Sequence, residues 1–316
     1  MKKAFEKLNL RDYGVLLGFL ALCIAISIAT PSFLGKQNIL NLLRQSSIIG
    51  IISAGMTFVI ISGNFDISVG AVAALAGAIT MKFATGGTNL FASMLLGVAI
   101  CAVIGLINGI VVAKINVPSL IATMAMVTIV RGLLLMLTGG YPITENIPIL
   151  DYIGNGYLFS IPIPVVIFFI VVLVSFIVLN KTKFGRYVYS VGGNQEASKL
   201  NGINVDSHKV KVFIINAVLA GIAGIVLTGR LGTATAIAGE GYDMDAIASV
   251  VIGGTSVAGG SGSVLKTVIG VLLMSVINNS FNLLGIDVYF QYIFKGLIIL
   301  AAVGFDSYSK KKLASR

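Results

Sequence analysis

Leu90–Ala113 reads LFASMLLGVAICAVIGLINGIVVA, an unbroken apolar run without one charged side chain. A helix rises ~1.5 Å per residue, so a run of this length crosses the ~30 Å hydrocarbon core of a bilayer. Gly14–Thr30, Ile161–Leu179 and Val264–Leu284 are of the same kind, nearly free of charge. Across the chain 57% of residues are hydrophobic and 11% charged, where a soluble domain carries roughly 25% charged. In lipid, backbone groups must be satisfied within the segment, which selects helices. The chain therefore reads as an all-α polytopic membrane protein, residues 1–316 forming a single transmembrane domain.

Ten membrane segments are expected: Gly14–Thr30, Ile39–Ser62, Ile67–Ala84, Leu90–Ala113, Pro118–Thr138, Ile161–Leu179, Val210–Thr228, Ala246–Val257, Val264–Leu284 and Tyr289–Phe305. The second opens on Asn38, Asn41, Arg44 and Gln45, which places the start of its membrane part near Ser46. Lys2, Lys3 and Lys7 before the first run imitate a signal peptide. The run is long for such a leader and Thr30-Pro31-Ser32 is a poor cleavage site, so an uncleaved first span is expected.

Lys+Arg exceed Asp+Glu by 22 to 12. Of the basic residues, all but Lys36, Arg44, Lys82, Arg131, Arg230 and Lys295 fall in the tails, or in or just beyond the loops that share a side with the N-terminus. By the positive-inside rule that side is the cytoplasm, and both termini lie there. The charge orients helices rather than serving a nucleic-acid partner. Cys23 and Cys101 sit in apolar runs and read as small buried hydrophobes. His208 is the only histidine, which excludes a His-based metal site. No cofactor is expected.

With Asp66 set on Asp243, an offset of 177 residues, Ala71 falls on Ala248 and Gly77 on Gly254. Five spans separate the two copies, an odd number, so they face opposite sides as in the inverted repeats of transporters. The longest hydrophilic segment, 180–209, contains Asn194-Gln195-Glu196-Ala197-Ser198-Lys199-Leu200. That stretch suits a short helix with Asn194 as N-cap and Gly202 just past its end.

Several residues could line a solute path: Asn64, Asp66 and Ser68 at a polar break, Asn108, Asn278 and Asn279 within spans, and Arg131 in the fifth span. Each also has a structural role available. Asp66 can cap a helix, and so can Asp243 and Asp245 on the opposite face; the amides can bond helix to helix. Arg131 is expected to find an interior partner, and Lys295 to snorkel to the interface. Gly253–Thr267 imitates a phosphate-binding loop but has Leu265 where glycine must precede the lysine, and no strand precedes it. There is no HExxH, no GxSxG and no paired carboxylate set within one site, so the chain is not read as an enzyme, although a pairing of Asp66 with Asp243 stays open.

Four blocks, in order along the chain, resemble the membrane-spanning subunit of bacterial ABC sugar importers of the ribose, xylose and galactoside group. They are ISGNFDISVGAVAALAG, PSLIATMAMVTIVRGLLLMLTGG, VYSVGGNQEASKLNGI and YDMDAIASVVIGGTSVAGGSGSVLKTVIG followed by INNSFNLLGI. The first departs from the family by having Asn64-Phe65 where glycine and isoleucine are usual. Glu196-Ala197-Ser198 and Gly202 resemble the EAA-x3-G pattern of such permeases, with Ser198 in place of the second alanine.

The resemblance implies that residues 196–202 are a coupling helix that docks in a separate ATPase. It further implies a permease homodimer, two ATPase copies, an extracytoplasmic sugar-binding protein that does most of the selecting, and location in the bacterial cytoplasmic membrane. Other readings stay open: an ABC permease for branched-chain amino acids, or an ion-coupled secondary transporter, which would need a membrane-embedded carboxylate. A receptor or scaffold is disfavoured, since short loops leave little signalling surface.

Overall fold

The computed structural model describes residues 10–314, with side chains from 15 to 304. The basic residues expected in the tails, Lys2, Lys3, Lys7 and Arg316, lie outside the described residues. Helix α1 (Leu10–Ala29) and a 3-10 turn (Pro31–Leu34) lead into α2 (Lys36–Ile61). Next come α3 (Val69–Thr85), α4 (Leu90–Ala113) and α5 (Ser119–Thr138). After a short β1 (Ile143–Thr144) and α6 (Pro148–Asn155), strands β2 (Tyr157–Leu158) and β3 (Ile161–Pro162) pair with each other. Then follow α7 (Ile163–Lys181), α8 (Lys183–Gly193), α9 (Gln195–Leu200) and α10 (Val205–Leu231). Strand β4 (Thr233–Ala234) pairs antiparallel with β1, and α11 (Tyr242–Ile252), α12 (Val264–Leu283) and α13 (Val288–Ala314) complete the chain.

Among the described residues, six helices are long and apolar enough to cross a membrane: α2, α4, α5, α7, α10 and α12. Three shorter apolar helices lie at Val15–Ala29, Val69–Thr85 and Val288–Gly304. The expected eighth segment is α11, whose 11 residues rise only ~16 Å, about half a bilayer.

Burial sorts the spans into layers. The most apolar window of α2 is 94% buried, while those of α4, α5 and α7 are 28% buried. A helix apolar on all sides and buried on all sides belongs at the centre of a bundle; the others leave most of these residues outside its interior. Helix α10 lies beside α2, packed on α3 and α4. Close packing in lipid relies on small residues, because the hydrophobic effect does not drive helix against helix there. A Cβ on Gly224 would stand 1.8 Å from the Ala73 carbonyl oxygen, so α10 touches α3 backbone to backbone.

The polar opening of the second segment forms the first turns of one continuous helix from Lys36, and polar partners hold it. Asn38 and Asn279 exchange amide hydrogen bonds of 3.0 and 2.8 Å, and Arg44 donates to the Asn155 carbonyl at 3.0 Å while stacking over Tyr157. The hydrophilic segment 180–209 holds two helices rather than one, since α8 precedes the expected α9.

Candidate functional site

Helices α8 and α9 form an elbow at one end of the bundle. Thr182 caps α8 by accepting from the Gly185 amide at 3.1 Å. Asn194 caps α9 by accepting from the Ala197 amide at 2.9 Å. Gly202, at φ +78°, stands just past the end of α9 in the left-handed region open to glycine. Asn204 then caps α10 through the Ser207 amide at 3.0 Å. His208, in the first turns of α10, stacks on Phe184 and meets the edge of Tyr187. The elbow is thus fixed to the root of α10.

On α9, Glu196, Ala197, Lys199 and Leu200 face outward, and Leu200 is 90% exposed. Ser198 faces inward, buried, and its hydroxyl meets that of Ser190 at 2.9 Å. The serine that stands where an alanine is usual has a physical reason: it bonds α9 to α8. Leu200 was not singled out in the sequence; a leucine ending a six-residue helix carries no signal until its exposure is seen.

The second group of expected residues lies at the break between α2 and α3. Ser68 donates to Asp66 Oδ1 twice, from its amide at 2.9 Å and its hydroxyl at 2.5 Å. Asn216 of α10 donates to Asp66 Oδ2 at 2.9 Å. Asn108 of α4 donates to the Ser68 hydroxyl at 3.1 Å. Asn64 turns back on Ser62, donating to its carbonyl and hydroxyl, both at 3.1 Å. The amides of Phe65 and Ile67 donate to the Ser119 and Thr123 hydroxyls of α5. The polar groups of the break are therefore met from three neighbouring helices, the backbone amides by α5 and the side chains by α4 and α10. Burial pushes the Asp66 carboxyl above its ordinary range, and the bonds from Ser68 and Asn216 oppose that rise. Asn216 was missed in the sequence, where it is one amide in an apolar helix with its partner 150 positions away.

A second break, 232–241, lies before α11. Arg131 does find an interior partner: it donates to the carbonyls of Ala236 and, at 3.2 Å, Ala238. Glu240 and Asp243 are close enough to act on its charge. Asn278 donates to Asp245 Oδ2 at 3.3 Å. Lys295 corrects its expectation. It does not snorkel but pairs with buried Asp245, its Nζ 3.1 Å from both oxygens. An interior carboxylate offers a cation more than the interface does. The two breaks touch at Gly70 and Gly239, where a Cβ on either would come within 2.7 Å of the other's carbonyl oxygen.

Asn279 stands apart, bonded to Asn38. At the end opposite the elbow, a cavity of about 180 Å³ is lined by residues including Glu145, Asn146, Asp151 and Thr228. Among the described residues no group of three or more His, Cys, Asp or Glu could hold a metal. The arrangement is that of a broken-helix bundle with one protrusion.

A family described as the branched-chain amino acid transport system / permease component matches residues 38–303. The chain belongs to this permease family. The ribose import permease protein RbsC of Haemophilus influenzae is 44% identical to the permease over 303 residues, covering 93% of this chain and 94% of that protein. RbsC of Bacillus subtilis is 43% identical over 300 residues, covering 94% and 93%. The xylose transport system permease protein XylH of Haemophilus influenzae is 34% identical, covering 98% and 99%. No solved structure matches the permease. As a permease component it is a transport subunit and not itself an enzyme.

Proposed function

We propose that this permease is the membrane-spanning subunit of a bacterial ABC importer for a monosaccharide, ribose or a close relative. The observation that carries the reading is the near full-length similarity to ribose import permeases at 43 to 44% identity. It works with a separate ATPase and an extracytoplasmic sugar-binding protein, in the cytoplasmic membrane, with both termini cytoplasmic. Two copies of the permease form a homodimer, and solute passes between them by alternating access.

The elbow is the ATPase contact, on the cytoplasmic side. Asn194, Glu196, Ala197, Ser198 and Gly202 build it: the first and last set its ends, Ser198 locks it to α8, and Glu196 and Ala197 meet the partner. Leu200 adds an apolar anchor of the kind that dominates small interfaces. Asn64, Asp66, Ser68, Asn108, Arg131, Asn278 and Asn279 frame the path, all but Asn279 by holding the broken helices in place and Asn279 by tying α12 to the start of α2. Ten spans with an inverted repeat fit this frame. Asn108 reaches the start of α3 as Asn278 reaches the start of α11, and Arg131-Gly132-Leu133 on α5 is echoed by Lys295-Gly296-Leu297 on α13.

The test is uptake of labelled ribose into liposomes holding the permease, its ATPase and ribose-loaded binding protein. Uptake should require all three and ATP. Uptake by the permease alone under an ion gradient would instead make it a secondary transporter. The family's description favours one second reading, a branched-chain amino acid permease; labelled leucine entering in place of ribose would select it.

A further inference from the structure

The C-terminal end of α8 is seated among the backbones of the turn into the first break and of the loop that leaves α11. A Cβ on Gly192 would lie 1.7 Å from the Ile61 carbonyl oxygen and 2.7 Å from the Gly260 nitrogen. Gly260 itself donates its amide to that Ile61 carbonyl at 2.9 Å. A Cβ on Gly259 would lie 2.7 Å from the Gly192 carbonyl oxygen and 2.9 Å from Gly63. One turn earlier on α8, the Tyr189 hydroxyl donates to the Gly262 carbonyl at 3.0 Å. Ile61 and Gly63 lead into the break before α3, and residues 255–263 join α11 to α12.

Three chain segments thus meet backbone to backbone at their glycines, and hydrogen bonds fasten the 255–263 loop to each of the other two. Helix α9 is bolted to the same α8 through Ser198 and Ser190. Interfaces packed this closely do not deform smoothly; they move as a unit or shift between discrete arrangements.

We propose that the junction of Gly192 and Tyr189 with Ile61, Gly260 and Gly262 is the transmission point of the transporter, carrying movement of α9 to both broken helices at once. Gly192 and Tyr189 are positioning residues: they touch neither solute nor nucleotide. The proposal rests on the reading of α9 as the ATPase contact and adds the route beyond it.

The experiment uses the full permease with its ATPase, in a Cys23→Ser, Cys101→Ala background. Phe65→Cys reports on the first break and Ala258→Cys on the second loop. The readout is the maleimide labelling rate of each reporter with and without a non-hydrolysable ATP analogue. Both rates should change about fivefold or more on nucleotide addition, the scale of an ordinary allosteric coupling. Gly192→Ala should abolish both responses while the ATPase still co-purifies, and Tyr189→Phe, which removes only a hydroxyl, should weaken both. Should Gly192→Ala not assemble, Tyr189→Phe alone decides. The proposal is overturned if the parent shows no response, if the variants respond like the parent, or if only one reporter is affected. Glu196→Arg separates the two claims. ATPase binding that survives it removes the reading of α9, whereas binding lost there with unchanged responses in the α8 variants removes the transmission point alone.

Discussion

Asp66 and Asp245 are both buried carboxylates at the start of a broken helix, yet their surroundings differ in kind. Asp66 receives three hydrogen bonds, all from neutral groups of Ser68 and Asn216. Asp245 receives one amide hydrogen bond from Asn278 and pairs with the Lys295 ammonium. The first break is a hydrogen-bonded turn whose charge is unbalanced; the second is balanced by a cation brought from another helix. One fold therefore tolerates two ways of burying an acid, and they should fail differently.

The largest effect should come from Lys295→Met, which strands a buried charge. A broken buried pair costs about 3–5 kcal/mol, whereas replacing both partners with neutral groups is close to harmless. Thermal unfolding in detergent should show Lys295→Met strongly destabilised and Lys295→Met with Asp245→Asn largely restored. Equal loss in both would mean that the pair is not what holds α13 to α11.

Next comes Asp66→Ala, which leaves the Ser68 and Asn216 donors unpaired at about 1–3 kcal/mol for each buried group. Asp66→Asn keeps an acceptor and should lose less than half as much in the same assay. Were Asp66→Asn the worse variant, the carboxylate would be engaged by a charge, and the contrast with Asp245 would disappear.

The contrast also has a sign in pH. Burial raises the Asp66 carboxyl, so the folded state holds that proton more tightly than the unfolded state. Its contribution to stability is then largest at low pH and is lost as pH rises from the ordinary carboxylate range through the raised folded value. Melting temperature measured against pH should fall more for the parent than for Asp66→Asn across that window. A parent curve that rises relative to Asp66→Asn would reverse the assignment.

The smallest effect is at the elbow, which buries no charge. Ser198→Ala removes one hydrogen bond, worth about 1 kcal/mol. It should leave the melting temperature of the bundle nearly unchanged and speed proteolysis within residues 182–204. A global destabilisation would show that the elbow is part of the core.

What the sequence disclosed follows the range of the interaction. Asn194 and Gly202 bound α9 through bonds three residues long or through backbone conformation alone, and both were legible. The apolar runs were legible because lipid imposes them locally. Lys295 was misread because the acid that draws it inward lies 50 positions away. Asn216 went unnoticed for the same reason. What holds Asn38 and Arg44 at the start of α2 is not legible in the sequence, because Asn279 and Asn155 lie far along the chain. Helix α8 was missed because half of its residues are polar or glycine and its purpose is packing, not crossing.

The proposed cytoplasmic motor would grip the tip of α9, where Leu200 is 90% exposed. With Leu200→Cys in the Cys23→Ser, Cys101→Ala background, a membrane-impermeant maleimide should label only inside-out vesicles, and bound ATPase should block the labelling. Labelling of sealed right-side-out vesicles would contradict the account outright, because no ATPase could reach the elbow from that side.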